Sequence, residues 1–152
     1  MHDREPVTIQ RQAWVGQARE RVFALVHDVE GYPARFAWCH EARVLASGDG
    51  EPWIVARLAV ELAGVPVAFA TRNRYRAPEW IAMSLVEGPF RSLEGEWRFT
   101  ALGERATRID FRLALVPGGR LLAAAARRGF SRLAERMVTD FCLAAERLGD
   151  AG

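Results

Sequence analysis

The groups able to do acid–base, nucleophilic or metal chemistry are few in this chain, and they are scattered. The histidines are His2, near the start, His27, beside Asp28 at the end of an apolar-periodic segment, and His40, directly after Cys39. No Ser/His/acid set, metal-ligand spacing or glycine-rich phosphate loop emerges from them. Cys39 and Cys142 lie far apart with no CxxC or Cys/His spacing, which reads as two reduced, buried thiols. Two polar patterns are more informative, and both lie in "TRNRYR". Thr71, Asn73 and Tyr75 share the parity of Phe69, the side that a half-buried strand turns inward. A buried polar group must be hydrogen-bonded or wet. Asn73 or Tyr75 therefore either offers a hydrogen bond to a carbonyl or head-group oxygen of a bound molecule, or satisfies backbone at a strand end. Arg72, Arg74 and Arg76 take the opposite, outward parity, as do Arg98, Arg108 and Arg112 in later stretches. Interleaved Glu94, Glu96 and Asp110 make cross-strand charge pairing the default. The alternative is an anionic surface, either lipid headgroups or ribosomal RNA, and Arg120, Arg127, Arg128, Arg132 and Arg136 lean the same way. For proton-transfer chemistry, only Thr71, Asn73, Tyr75, Arg57 and Arg35 are at hand, and none is a good base.

These residues need elements to position them. "VTIQRQAWVG" reads as a first strand with Val7, Ile9 and Trp14 as its bulky apolar positions. Val22, Phe23, Val26 and Val29 recur at helical spacing, Gly31 and Pro33 break that helix, and "ARFAWC" reads as a second, short one. "EARVLASGDGEPWIVARLAVEL" gives two strands joined by Gly48-Asp49-Gly50. Gly64-Val65-Pro66, Ala77-Pro78-Glu79, Gly88-Pro89-Phe90 and Leu102-Gly103-Glu104-Arg105 punctuate four more. In "LEGEWRFT", Leu93, Gly95, Trp97 and Phe99 share the buried parity, and Gly95 allows a backbone or ligand to come close, or marks a bulge. After Pro117-Gly118-Gly119 comes a long helix with Phe130, Leu133, Met137, Phe141, Ala145 and Leu148 as its apolar stripe. Gly129 within it marks a possible kink. The expected fold class is α+β: a seven-stranded curved antiparallel sheet, two short helices and a long C-terminal helix across the concave side. Residues 7–148 form one domain, with flexible ends at 1–6 and 149–152.

At 152 residues, 50% apolar and 26% charged, the chain has an ordinary globular balance. A net charge of +2 does not make nucleic acid the default partner, and DNA is not expected. All 21 basic residues are arginine, which suits phosphate and carboxylate contacts better than lysine does. No signal sequence or membrane span is expected, so the protein is expected in the cytoplasm, with peripheral contact at the inner membrane as a further option.

"RVFALVHDVEGYPARFAWC", "TRNRY" and "GPFRSLEGEWRF" resemble, in that order, the coenzyme-Q-binding START-like family. That family includes the ribosome association toxin RatA and belongs to the wider polyketide cyclase/dehydrase group. One departure stands in the segment between Tyr32-Pro33 and Trp38-Cys39, where Arg35 replaces the usual aromatic and an alanine the usual proline. The resemblance implies a helix-grip fold enclosing an apolar cavity whose mouth this segment shapes. It makes Trp38, Phe69, Phe90, Trp97, Phe99, Phe111, Phe130, Leu133, Met137 and Phe141 candidate walls, with Phe90 as a gate and Asn73 and Tyr75 as polar anchors.

Three functions follow as expectations. The first is non-enzymatic binding of a ubiquinone-like polyprenyl quinone in support of respiration, with no cofactor required. Each buried CH₂ of the tail would contribute ~0.8 kcal/mol. The second is a RatA-like factor that binds the large ribosomal subunit through the outer arginines and blocks subunit association. The third is a polyketide aromatase/cyclase.

Overall fold

The computed structural model describes residues 6–151, the side chains of 149–151 excepted; His2 and the expectations for 1–5 and 152 lie outside the described residues. Seven strands, β1 (Val7–Val15), β2 (Cys39–Ser47), β3 (Trp53–Leu62), β4 (Val65–Arg76), β5 (Trp80–Glu87), β6 (Phe90–Gly103) and β7 (Ala106–Pro117), form one sheet in the order β1-β7-β6-β5-β4-β3-β2. Every pairing is antiparallel. Hairpins link consecutive strands from β2 to β7, and β1 joins at the far edge beside β7. The predicted α+β architecture is the observed one.

Two short helices, α1 (Arg19–His27) and α2 (Tyr32–Arg35), sit between β1 and β2, with a 3-10 turn at Val29–Gly31 between them. The expected boundaries differ here. The first helix ends at Asp28, and Pro33 starts the next turn instead of breaking the previous one, since a proline at a helix's first positions lacks only an N–H that would go unbonded. Within "ARFAWC" only Ala34 and Arg35 are helical; Phe36 is extended, Ala37 and Trp38 form a turn, and Cys39 opens β2.

A third helix, α3 (Arg120–Ala151), lies against β1, β7 and β3. Its buried line is Leu122, Ala126, Phe130, Ala134, Val138, Phe141 and Ala145. Leu133 and Met137 are half-buried on its flank, and Leu148 is exposed, contrary to the expected stripe. Alanines face the sheet where the helix approaches it closely. Gly129 serves that approach and does not interrupt the helix: a Cβ there would stand 2.7 Å from the backbone nitrogen of Ala63 in the β3–β4 turn. A buried polar tie fixes the other end. Thr107 donates to the Gln17 carbonyl at 2.7 Å, and the Gln17 amide donates to the Ala145 carbonyl at 3.2 Å.

Strand parity separates two faces. Along β1 the odd positions turn inward, so Ile9 and Val15 are buried while Trp14 is 62% exposed on the convex face.

Candidate functional site: two faces of one sheet

On the concave face, α3 does not fully close against the central strands. An apolar hollow of about 80 Å³ remains between β3–β7 and the helix. Of the expected wall residues, Trp38, Phe69, Phe90, Trp97, Phe111, Phe130, Leu133 and Met137 line it, together with Asn73. Tyr75, Phe99 and Phe141 lie elsewhere. Tyr75 packs with its ring 4.4 Å from His27 and 6.2 Å from Phe23. Phe99 stacks parallel to Trp97 and meets Phe23 edge-on. Phe141 is fully buried, edge-on to Tyr32, Phe36, Trp38 and Trp97.

That last cluster explains the segment 34–37. Phe36 stacks on Trp38 at 5.1 Å, and the Trp38 indole N–H donates to Asp140 of α3 at 3.0 Å. Arg35 turns outward to Asp28 at 2.9 Å. The segment clamps α3 through its aromatic rings, and its arginine stays on the surface. The hollow approaches solvent elsewhere: Leu58, Phe69, Met83, Leu133 and Met137 are the lining residues that keep some exposure. Phe90 is wall, with its ring edge-on to Phe69 at 5.7 Å.

One row of paired residues crosses the sheet beneath the hollow: Ile54, Asn73, Met83, Gly95 and Leu113. Gly95 is in regular register, so it is not a bulge. A Cβ there would stand 2.7 Å from both Met83 Cε and Leu113 Cδ1. Those side chains close over the glycine and take up space that a bulkier residue would deny them. Beside them, the Thr71 hydroxyl donates to Asn73 Oδ1 at 2.7 Å. The Asn73 amide nitrogen makes no hydrogen bond among the described residues, which leaves a donor on a side chain that is 7% exposed.

β3 was the part of the lining that inspection of the aromatic positions missed: Ala56, Leu58, Val60 and Leu62 all contribute. Their period-two spacing in "ARLAVEL" carries that signal. Val29 and Tyr32 were missed because they enter from the turn after α1. The Tyr32 hydroxyl donates to the Val26 carbonyl, and burial pushes its ionisation far above the ordinary tyrosine range.

The lining includes no histidine, aspartate or glutamate, and no cluster of metal-binding side chains occurs among the described residues. Burial pushes the Cys39 thiol up to about 11, so it is a poor nucleophile at neutral pH.

The convex face carries no helix, and charge dominates it. Arg112 meets Glu96 across the β6–β7 register at 3.4 Å, the cross-strand pairing that was expected, whereas Arg98 engages Glu96 and Arg108 engages Asp110 (2.9 Å) along their own strands. On β4, Arg76 pairs with Glu79 at 3.1 Å, and the Arg72 guanidinium lies 5.0 Å from the Trp53 ring centroid.

Residues 15–142 match the family described as "Polyketide cyclase / dehydrase and lipid transport". The chain belongs to that family. It is 38% identical over 143 residues to the persistence and stress-resistance toxin PasT of Escherichia coli O6:H1, covering 94% of this chain and 89% of the relative. The ribosome association toxin RatA of E. coli K12 is 37% identical with the same coverage, and RatA of Pseudomonas aeruginosa is 36% identical over 92% of this chain and 96% of its own. Among solved structures, the ZhuI aromatase/cyclase of Streptomyces sp. R1128 superposes with a TM-score of 0.84 at 20% identity, covering 94% of this chain and 95% of that one. An 18 kDa protein of Caulobacter crescentus follows with 0.75 at 26% identity, covering 96% and 99%. At 20% identity the cyclase shares the fold alone. No described helix is long and apolar enough to cross a membrane.

Proposed function

We propose that the protein is a non-enzymatic ribosome-association factor that binds the large subunit and hinders its joining to the small one. The observation that carries this reading is the 34–38% identity to PasT and RatA proteins over more than nine-tenths of the chain. The two faces of the sheet support it by size. Pockets for small molecules run to ~300–1,000 Å³, and the hollow, at about 80 Å³, is well below that range. The arginine-bearing convex face is open as it stands. The quinone-carrier expectation is the less supported of the two. The test is subunit joining followed on sucrose gradients. Added protein is expected to deplete the joined particle and leave free subunits, in proportion to protein added; an unchanged joined peak at stoichiometric excess would overturn the reading.

The Asn73 donor favours a second reading, in which the hollow widens to hold an apolar molecule bearing a carbonyl, a polyprenyl quinone among them. Met83 and Met137 are unbranched side chains able to reorganise around such a molecule. Mass spectrometry of organics extracted from gently purified protein tests it. A recovered quinone, lost in Asn73→Leu, is the expected result; protein free of any apolar small molecule counts against it.

A further inference from the structure

The convex face is not uniformly charged, and its two halves differ in what the arginines are free to do. On β6 and β7, Arg98, Arg108 and Arg112 are each held by Glu96 or Asp110. On β4 the arrangement is different. Arg72, Arg74 and Arg76 are all exposed in one column, and same-face residues of a strand recur every ~7 Å. That separation is commensurate with successive phosphates of an extended nucleic-acid strand. Arg74 makes no ion pair among the described residues, and its cross-strand neighbours on this face are Trp53 and Ala82. Trp53 braces Arg72, and Trp80, half-buried on the same face, stands opposite Arg76. Arg76, at the end of the column, pairs with Glu79 at 3.1 Å and keeps a largely exposed side chain, so Arg72 and Arg74 are the two without an acid partner among the described residues. Of the other nearby acids, Glu87 bonds Arg57 at 3.4 Å and Glu51 accepts from the Trp53 indole at 3.3 Å. A column of guanidinium groups flanked by aromatic rings is the chemistry that takes a single nucleic-acid strand, phosphates on the arginines and bases against flat side chains.

We infer that the β4 column Arg72–Arg74–Arg76, with Trp53 and Trp80 at its flanks, is a binding surface for a single RNA strand. The inference rests on the ribosome reading and deepens it by assigning the contact to β4 and not to β6 and β7. The arginines act by neutralising phosphates, and Trp80 offers its ring to a base. The contact is therefore sequence-tolerant and salt-dependent.

The test is fluorescence anisotropy of a labelled single-stranded RNA of about twelve nucleotides, titrated with the full chain at several salt concentrations. The triple variant Arg72→Gln/Arg74→Gln/Arg76→Gln is expected to lose at least about tenfold in affinity. Its salt dependence should flatten by about 2 in the log–log slope, from ~0.7 per phosphate contact on a single strand. Arg108→Gln/Arg112→Gln, on the same face but in the paired set, should stay within about twofold of wild type. Equal losses in both variants, no loss in the triple variant, or tighter binding to phosphatidylglycerol vesicles than to RNA would overturn the assignment. Pelleting with isolated large subunits separates this inference from the reading beneath it. If wild type pellets and the triple variant pellets equally at every salt concentration, the inference fails while the reading stands. If wild type binds RNA through the column but does not pellet, the reading fails while the RNA surface stands.

Discussion

Alternate residues of the same strands build two surfaces of opposite character. In β4, Val67, Phe69, Thr71 and Asn73 turn toward α3, and Arg72, Arg74 and Arg76 turn away from it. The concave surface is apolar and almost filled, because α3 presses alanines toward the sheet and Met83 and Leu113 close over Gly95. Charge sets the convex surface, and no helix among the described residues covers it. The fold therefore leaves this chain a hollow of about 80 Å³ on one side and an open, charged face on the other. Packing controls what the first can hold, and electrostatics controls what the second can attract. The two are separable by substitution.

The largest effect should come from the concave side. Phe141→Ala removes a fully buried ring that four aromatic neighbours meet edge-on, and should cost about 3–5 kcal/mol in chemical denaturation. A loss below about 1 kcal/mol would mean that the aromatic clamp does not hold α3.

Met83→Ala and Gly95→Ala bracket the hollow from either side. The first enlarges it, with a cost of about 2 kcal/mol given the residue's partial exposure. It should increase uptake of an apolar fluorescent probe. The second forces Met83 Cε and Leu113 Cδ1 aside, costs about 1 kcal/mol, and should reduce uptake. Identical probe binding in both would show that the hollow is not where such molecules enter.

On the convex side, Arg74→Gln should change stability by no more than about 0.5 kcal/mol, as for an ordinary surface position. Its effect belongs to RNA affinity alone, so a lowered melting temperature would blur the contrast between the faces.

The smallest effect is a pH dependence. Burial against Phe23 and Tyr75 lowers the His27 pKa from its ordinary 6.5, and Asp28 pulls weakly the other way. The folded state thus favours neutral imidazole. Its contribution is present above pH 6.5 and declines as pH falls through that value toward the lowered folded one. Denaturation midpoints across that window should fall with acid in wild type and flatten in His27→Gln; equal slopes would remove His27 as the cause.

Much of the architecture was legible because turn residues and period-two alternation specify hairpins locally: Gly48-Asp49-Gly50 and Ala77-Pro78 mark connections that the structure keeps. Parity, with Ile9 and Val15 fixing the inward side of β1, puts Trp14 on the outer face despite its size. The stripe of α3 held at Phe130, Phe141 and Ala145, was half-buried at Leu133 and Met137, and departed at the exposed Leu148. Burial there follows closeness to the sheet, which adds Ala126 and Ala134 to the buried line and leaves the larger Leu133 and Met137 at the edge. The identity of most of the lining was readable from aromatic positions and their parity. Its volume was not, since a filled core and a hollow one share the same periodicity and differ only in how side chains such as Met83 fold over Gly95. Which arginines find an acid was equally hidden, because it depends on side-chain reach along a strand (Arg98 to Glu96, Arg108 to Asp110), around a turn (Arg76 to Glu79) and across the register (Arg112 to Glu96).

The central claim is that the convex face, not the hollow, makes the contact with the ribosome. Its most direct test is one pelleting experiment with isolated large subunits, comparing wild type, the triple β4 arginine variant and Gly95→Ala. The account requires wild type and Gly95→Ala to pellet alike at low salt and to be released at high salt, while the arginine variant stays in the supernatant. Pelleting that survives the loss of all three arginines but fails in Gly95→Ala would contradict it.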